Sequence, residues 1–379
     1  MEIDARRLSD TFVKLVTIDS PSRDEGAVAV WLKAHFTGLG LDVVEDDSRA
    51  ATGSNSGNII VHIPGAEASA PIFFNAHMDT VEPGRGIRPI LKNGVFSTDG
   101  STILGSDDKA AIAILIETVN ALMEGGVRHG PVELLFTVCE EIGLLGAKAF
   151  DPSLLGARAG FALDAVDPDL LITNAPAAIK FDLKVIGKAA HAGIRPEDGI
   201  NAIKIAAEAV SSAPVGRIDE DTTANIGVIR GGNATNIVPD EVEIRGEVRS
   251  HNPKRLREVQ DEVIGAFHDA AAKYRKDGVA GLPLIQAEVN DDYPVMSVSC
   301  DHALVKAAFR AGAVLGLTLR TGKTGGGSDA NIFNGKDLST VIMGIGMQKV
   351  HSTDEFIRLD DMTASCRLVL ETIKAWSGF

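Results

Sequence analysis

The sequence predicts an α/β fold, a mixed doubly wound catalytic domain with an inserted α+β domain of β-α-β-β-α-β, ferredoxin-like order. Three observations predict it. Up to about residue 175, short and continuously apolar runs alternate with helical patterns, the mark of strands buried on both faces. From Ile179 onward apolar residues alternate one-for-one with charged ones, as in a sheet with one dry and one wet face. After Tyr293-Pro294 the chain returns to helix and buried strand. The expected boundaries are a discontinuous domain over 1–176 and 293–379 and an inserted domain over 177–292. A tandem arrangement fits less well, because His351 must rejoin ligands near the N-terminus.

Each element follows from its own pattern. A helix over about 25–39 opens with a Ser22-x-x-Glu25 capping box and closes at Gly40. Ile72-Phe73-Phe74-Asn75-Ala76 is a short buried strand that ends on His77, with Asp79 two residues later. Gly105-Ser106-Asp107-Asp108-Lys109 leads into an almost wholly apolar helix over 110–123. The run 132–138 is a second buried strand, ending in Cys139-Glu140-Glu141, and 160–163 is a third, ending in Asp164. In the inserted domain Ile179, Phe181, Leu183 and Val185 alternate with Lys180, Asp182 and Lys184; Val242, Ile244 and Val248 alternate with Glu241, Glu243, Arg245 and Glu247. One helix covers about 199–212. Another starts at Asn252-Pro253, an N-cap followed by proline at the first helical position, with Leu256, Val259, Val263 and Phe267 on one face. The strand-like run 339–344 precedes Val350-His351-Ser352-Thr353-Asp354-Glu355.

Ligands in open α/β sheets bind just beyond the carboxyl ends of strands, and that is where these polar residues fall. Two histidines, several carboxylates and no proposed thiolate ligand suit borderline-hard divalent ions. A ligating histidine also needs an acceptor on its other ring nitrogen, a post Asp79 could fill.

Taken in order, His77-Met78-Asp79-Thr80-Val81, Gly105-Ser106-Asp107-Asp108-Lys109, Glu140-Glu141-Ile142-Gly143, Leu163-Asp164, Gly326-Gly327-Ser328-Asp329 and His351-Ser352-Thr353-Asp354-Glu355-Phe356 resemble the dinuclear-zinc aminopeptidase, carboxypeptidase and deacylase family. Within it the chain looks most similar to peptidase T-like tripeptidases, over nearly its whole length. One departure is Cys139, where peptidase T itself usually has an acidic residue. The resemblance implies two divalent ions per subunit, Zn²⁺ first, with Mn²⁺ or Co²⁺ as alternatives. It assigns one to His77, Asp164 and Asp107 and the other to Glu141, His351 and Asp107, the shared carboxylate. The adjacent Asp108 is the competitor for that shared post. Glu140 would be the general base and Asp79 its catalytic companion. Two consecutive glutamates on one strand would face opposite sides, which allows them separate duties. The resemblance also makes His191 an oxyanion or substrate contact, and Asn236, Arg249, Gly326, Gly327 and Ser328 substrate-binding positions. Turn chemistry for Asn236 and a strand-end charge for Arg249 are the bland alternatives.

Composition narrows the partners. Lysine and arginine total 37 against 52 acidic residues, a net charge of −15, which argues against nucleic acid or an anionic membrane as partner. The first residues carry no apolar core of a signal peptide, and the apolar run 110–116 is too short to span a bilayer. Three scattered cysteines form no disulfide framework, so a cytoplasmic setting is expected. Gly322-Lys323-Thr324 imitates a phosphate loop, but Leu317 stands where that loop demands glycine. No Gly-x-Ser-x-Gly elbow occurs. The expectation is a metal-dependent hydrolase of small peptides, an aminopeptidase on tripeptides first. An N-acyl amino acid deacylase or carboxypeptidase is the alternative within the fold, and a non-catalytic small-ligand binding protein is the alternative outside it. The family resemblance implies that the discontinuous domain over 1–176 and 293–379 is the catalytic, metal-binding one and that the inserted domain over 177–292 is a lid or dimerisation domain, with a homodimer formed through it.

Overall fold

The computed structural model of the protein describes residues 3–66, 68–126 and 128–378. The chain divides into two compact units. The first runs to Asn174 and takes in Met296–Thr324 and the chain from Ser328 onward; the second is Ala175–Val295 with Gly325–Gly327.

A nine-stranded mixed sheet forms the middle of the first unit. Its order is Asp42–Glu45, Ile59–Ile63, Val132–Thr137, Ile72–His77, Ala159–Ala165, Ser339–Gly344, Leu170–Ala175 and Met296–Ser297, with Arg320–Lys323 paired to Leu170–Ala175. Ile72–His77 lies parallel to both neighbours, Val132–Thr137 and Ala159–Ala165. Every residue of Ile72–His77 and Val132–Thr137 is buried, as continuous apolar runs in a sheet covered on both faces should be. The helix Ser106–Gly125 is buried along almost its whole length, so it packs as a core element rather than an amphipathic cover. A small sheet of Ile357–Arg358, Val95–Ser97 and Ile90–Lys92 completes this unit among the described strands.

The second unit is a five-stranded antiparallel sheet in the order Gly216–Asp219, Thr222–Gly231, Glu241–Ser250, Ala177–Ile186, Leu284–Tyr293. Without its short edge strand Gly216–Asp219 it has the expected β-α-β-β-α-β order, so the sequence missed one hairpin strand. Ile179, Phe181, Leu183 and Val185 are buried while Lys180, Asp182 and Lys184 are exposed. Asn252 caps Pro253–Ala272 by accepting from the Lys254 and Arg255 amides, and Leu256, Val259, Val263 and Phe267 are buried on its inner face. The other helix begins at Ala202, capped by Asn201, slightly later than the pattern suggested.

The expected capping box is not formed. The helix is Gly26–Gly38, and Glu25 makes no side-chain cap. Both box residues are drawn elsewhere: Ser22 donates to Asp79, and Glu25 accepts from the Arg23 and Cys139 amides. A local motif has lost to tertiary partners that bury the carboxylate completely.

Candidate metal centre

The centre is assembled at the carboxyl ends of the parallel strands. His77 ends strand Ile72–His77, and its side chain is 3% exposed. Its Nδ1 lies 3.0 Å from the Asp79 carbonyl and 3.4 Å from Asp79 Oδ1, which turns Nε2 to the opposite side. There Nε2 meets Asp107 Oδ1 at 3.0 Å. The second oxygen of Asp107 lies 3.3 Å from His351 Nε2, which in turn is 3.0 Å from Glu141 Oε2. Asp107 therefore presents one oxygen to each histidine. His77, Asp107 and Glu141 each offer a ligand atom within 4.8 Å of the others.

Asp108 faces away. Its Oδ2 accepts from the His77 amide at 3.1 Å, and its buried Oδ1 has no hydrogen-bond partner among the described residues. Burial, then the charges of Asp164 and Asp107, push its carboxyl well above the usual range.

The backbone departs from regular structure at both acidic pairs. Asp107 and Asp108 have non-helical φ/ψ inside Ser106–Gly125. Glu140 and Glu141 are not on a strand, as the sequence implied. Val132–Thr137 has ended, and Cys139 at φ 55° turns the chain before them. Asp79 holds this turn, accepting from the Glu140 amide at 2.9 Å and the Glu141 amide at 3.2 Å.

Electrostatically the centre is short of positive charge. Burial, then neighbouring carboxylates, push Glu140 and Asp164 well above their usual ranges, and burial raises Glu141 as well. Asp329, also buried, is held at about 6. Burial opposes the charge of His77, yet the carboxylates of Asp107 and Asp79 outweigh it and raise the imidazole far above its ordinary value. Contacts with Asp107 and then Glu141 lift His351 to about 10. Buried carboxylates in such excess are stable only when paired or coordinated to cations. A donor set of one imidazole and two carboxylates, with a second imidazole against both carboxylates, fits hard or borderline divalent ions.

A family model described as Peptidase family M20/M25/M40 matches residues 73–375. The chain belongs to this family. It is a hydrolase acting on peptides, and its family's chemistry depends on metal. This M20 peptidase is 40% identical to the YqjE protein of Bacillus subtilis over 374 residues, 98% of this chain and 99% of that one. It is 28% identical to peptidase T of Geobacillus thermodenitrificans over 287 residues, 74% of this chain and 67% of the relative. Among solved structures, a tripeptidase from Staphylococcus aureus superposes with TM-score 0.94 at 37% identity, covering 100% of both chains. The aminopeptidase PepT of Bacillus cereus does so with TM-score 0.90 at 38% identity over 99% of each.

Other expected site residues of this peptidase lie in the second unit. His191 is exposed, its Nδ1 accepts from the Gly193 amide at 3.1 Å, and it pairs with Ile237 in an isolated bridge. Asn236 is brought beside it, since its carbonyl accepts from the Ala192 amide at 2.9 Å. Arg249 forks onto Glu247 at 2.9 and 3.1 Å. Gly327 lies against the Tyr293 ring, 2.4 Å from where a Cβ would stand, so only glycine fits. Ser328, in the first unit, is buried and spends its hydroxyl capping the helix Asp329–Gly335.

Some supporting residues escaped sequence reasoning. Glu355 accepts from the amides of Leu104, Gly105 and Asp107 at 2.8, 2.8 and 3.1 Å and from the Ser106 hydroxyl at 2.5 Å, clamping the loop that carries Asp107. Its place in the His351 motif was the available signal. Asn58 and Glu25, which hold the turn before Glu140, carried none.

Proposed function

We propose that this peptidase is an aminopeptidase that cleaves tripeptides, with Glu140 as general base. The observation that carries the proposal is Asp107, whose two oxygens face the Nε2 atoms of two different histidines. The relatives named as tripeptidase and aminopeptidase PepT support the substrate class.

His77, Asp164 and Asp107 would hold one divalent ion and Glu141, His351 and Asp107 the other, with Zn²⁺ first and Mn²⁺ or Co²⁺ as alternatives. Such ions supply Lewis acidity, which lowers the pKa of water and polarises a carbonyl. The chain's own residues do the rest. Asp79 orients His77 and fixes the turn that aims Glu140. Glu140 takes a proton from the attacking water at its carboxylate and returns it to the leaving amine. Burial raises the affinity of Glu140 for that proton, as a base that must also act as acid requires. His191 would donate to the oxygen of the attacked carbonyl. Asn236, Arg249, Gly326, Gly327 and Ser328 would contact the substrate's ends. A homodimer through the second unit and a cytoplasmic setting complete the proposal; among the described residues no helix is long and apolar enough to cross a membrane.

The test compares free-amine tripeptides with N-acetylated amino acids and C-terminally blocked peptides, with metal content measured on the same preparation. Turnover confined to free-amine tripeptides is expected, and preference for acylated amino acids would replace the proposal with a deacylase. Glu140→Ala should keep its metal and lose about 10²–10⁴-fold in turnover.

A further inference from the structure

Four consecutive amides follow the end of strand Val132–Thr137, and none returns to the sheet ladder. Each is accepted by a side-chain oxygen from another part of the first unit. Val138 donates to Asn58 Oδ1 at 3.1 Å and Cys139 to Glu25 Oε1 at 2.9 Å, while Glu140 and Glu141 donate to the two oxygens of Asp79. The Cys139 thiol points at the same Glu25 oxygen, 3.3 Å away. Glu25 also accepts from the Arg23 amide at 2.9 Å and from the Ser54 hydroxyl.

Glu25 is 0% exposed, and each of its hydrogen-bond donors among the described residues is neutral. Burying a carboxylate without a cation is costly, and a non-glycine residue in the left-handed region, here Cys139 at φ 55°, also costs free energy. The two costs meet at one contact, between Glu25 and the residue immediately before Glu140.

We infer that Glu25 is a positioning residue for Glu140: by gripping the amide and thiol of Cys139 it sets the turn from which the base projects. Asp79 secures the amides of Glu140 and Glu141, and Glu25 secures the positive-φ residue just before them. The thiol is explained by the same contact. Position 139 needs a small donor facing a carboxylate, and an acidic side chain there would oppose Glu25 unless protonated. The Cys139 thiol is fully buried and engaged by Glu25, so it serves as a donor and not as an accessible nucleophile.

This inference rests on Glu140 being the base, and the test separates the two. Metal-loaded wild type, Glu25→Gln, Ser54→Ala, Glu140→Ala and the Glu25→Gln/Glu140→Ala pair are compared on a tripeptide, with metal content and hydrogen exchange of the segment 136–144 recorded. Glu25→Gln should keep its metal and its KM, lose about 10-fold or more in kcat, as supporting residues of metal sites do, and speed exchange in that segment alone. Ser54→Ala, which leaves Glu25 in place but loosens it, should move both readouts the same way by less, and it carries the test if Glu25→Gln does not fold. In the Glu140→Ala background Glu25→Gln should change residual turnover less than two-fold. Unchanged kcat and exchange in both single variants, or a full additional loss in the double variant, would overturn the positioning role. Undiminished turnover in Glu140→Ala would instead overturn the base assignment.

Discussion

The two histidines that meet Asp107 are held in opposite ways. His77 closes a fully buried strand, is 3% exposed and has its second nitrogen engaged by Asp79. His351 sits in a turn at φ 61°, its side chain 53% exposed, and its partners among the described residues are the acidic Asp107 and Glu141 themselves. One half of the centre is therefore built into the sheet, and the other is completed by a loop. Stability and metal retention should divide along the same line.

The largest expected effect tests that division. His77→Ala leaves Asp107 without its buried partner and should destabilise the metal-free protein by about 3–5 kcal/mol, the cost of breaking a buried pair. His351→Ala, at a half-exposed site, should cost under about 1 kcal/mol. Chemical denaturation of both variants checks this, and equal losses would erase the distinction between the halves.

Glu355→Ala comes next. It strips acceptors from the loop that presents Asp107, and buried donors left unsatisfied cost about 1–3 kcal/mol. Because Asp107 faces both histidines, this variant should weaken metal at both halves. Loss at one half alone, followed by titration with a chelating dye, would show that the loop does not act as a unit.

Asp79→Asn keeps the side chain's shape while removing its charge. Its metal affinity should fall about 10–100-fold at the His77 half, as for other outer partners of ligating histidines. Because Asp79 also accepts from the Glu141 amide, a smaller fall is expected at the His351 half, and a larger fall there than at the His77 half would contradict the asymmetry.

A third histidine, remote from the centre, gives the smallest effect. His62 lies 3.0 Å from Glu133, whose contact raises the imidazole's pKa. Since the folded-state pKa exceeds the ordinary value near 6.5, the pair's contribution is full below that pH and is lost as pH rises through the raised value. Wild type should therefore lose about 0.2–1 kcal/mol of stability, the size of a partly exposed pair, between pH 6 and 9 relative to His62→Gln. Urea midpoints at the two pH values measure it, and identical pH slopes would remove the pair from the account.

How much of this was readable in advance depends on the range of the interaction. Strands such as Val132–Thr137 were legible because burial on two faces demands an unbroken apolar run. Ala177–Ile186 was legible because burial on one face demands alternation. Asn252-Pro253 was legible because a cap acts within three residues. The same local rule failed at Ser22 and Glu25, whose partners Asp79 and Cys139 lie 57 and 114 residues away. The strand Gly216–Asp219 was missed because four residues of an exposed edge leave almost no pattern. Separate duties for Glu140 and Glu141 were argued from strand alternation, but a turn at Cys139 and not a continuing strand precedes them.

By itself the sequence determined the class of the strongly patterned elements and which polar residues follow the buried strands, since periodicity and side-chain chemistry are local properties of the chain. Which oxygen meets which nitrogen was decided by tertiary structure alone. Asp107 faces two histidines while Asp108 takes a backbone amide, and Glu25 grips Cys139, because only the folded core brings these segments within 3–4 Å of one another. Buried charges must find partners wherever packing supplies them, and that supply is not written in any single stretch of sequence.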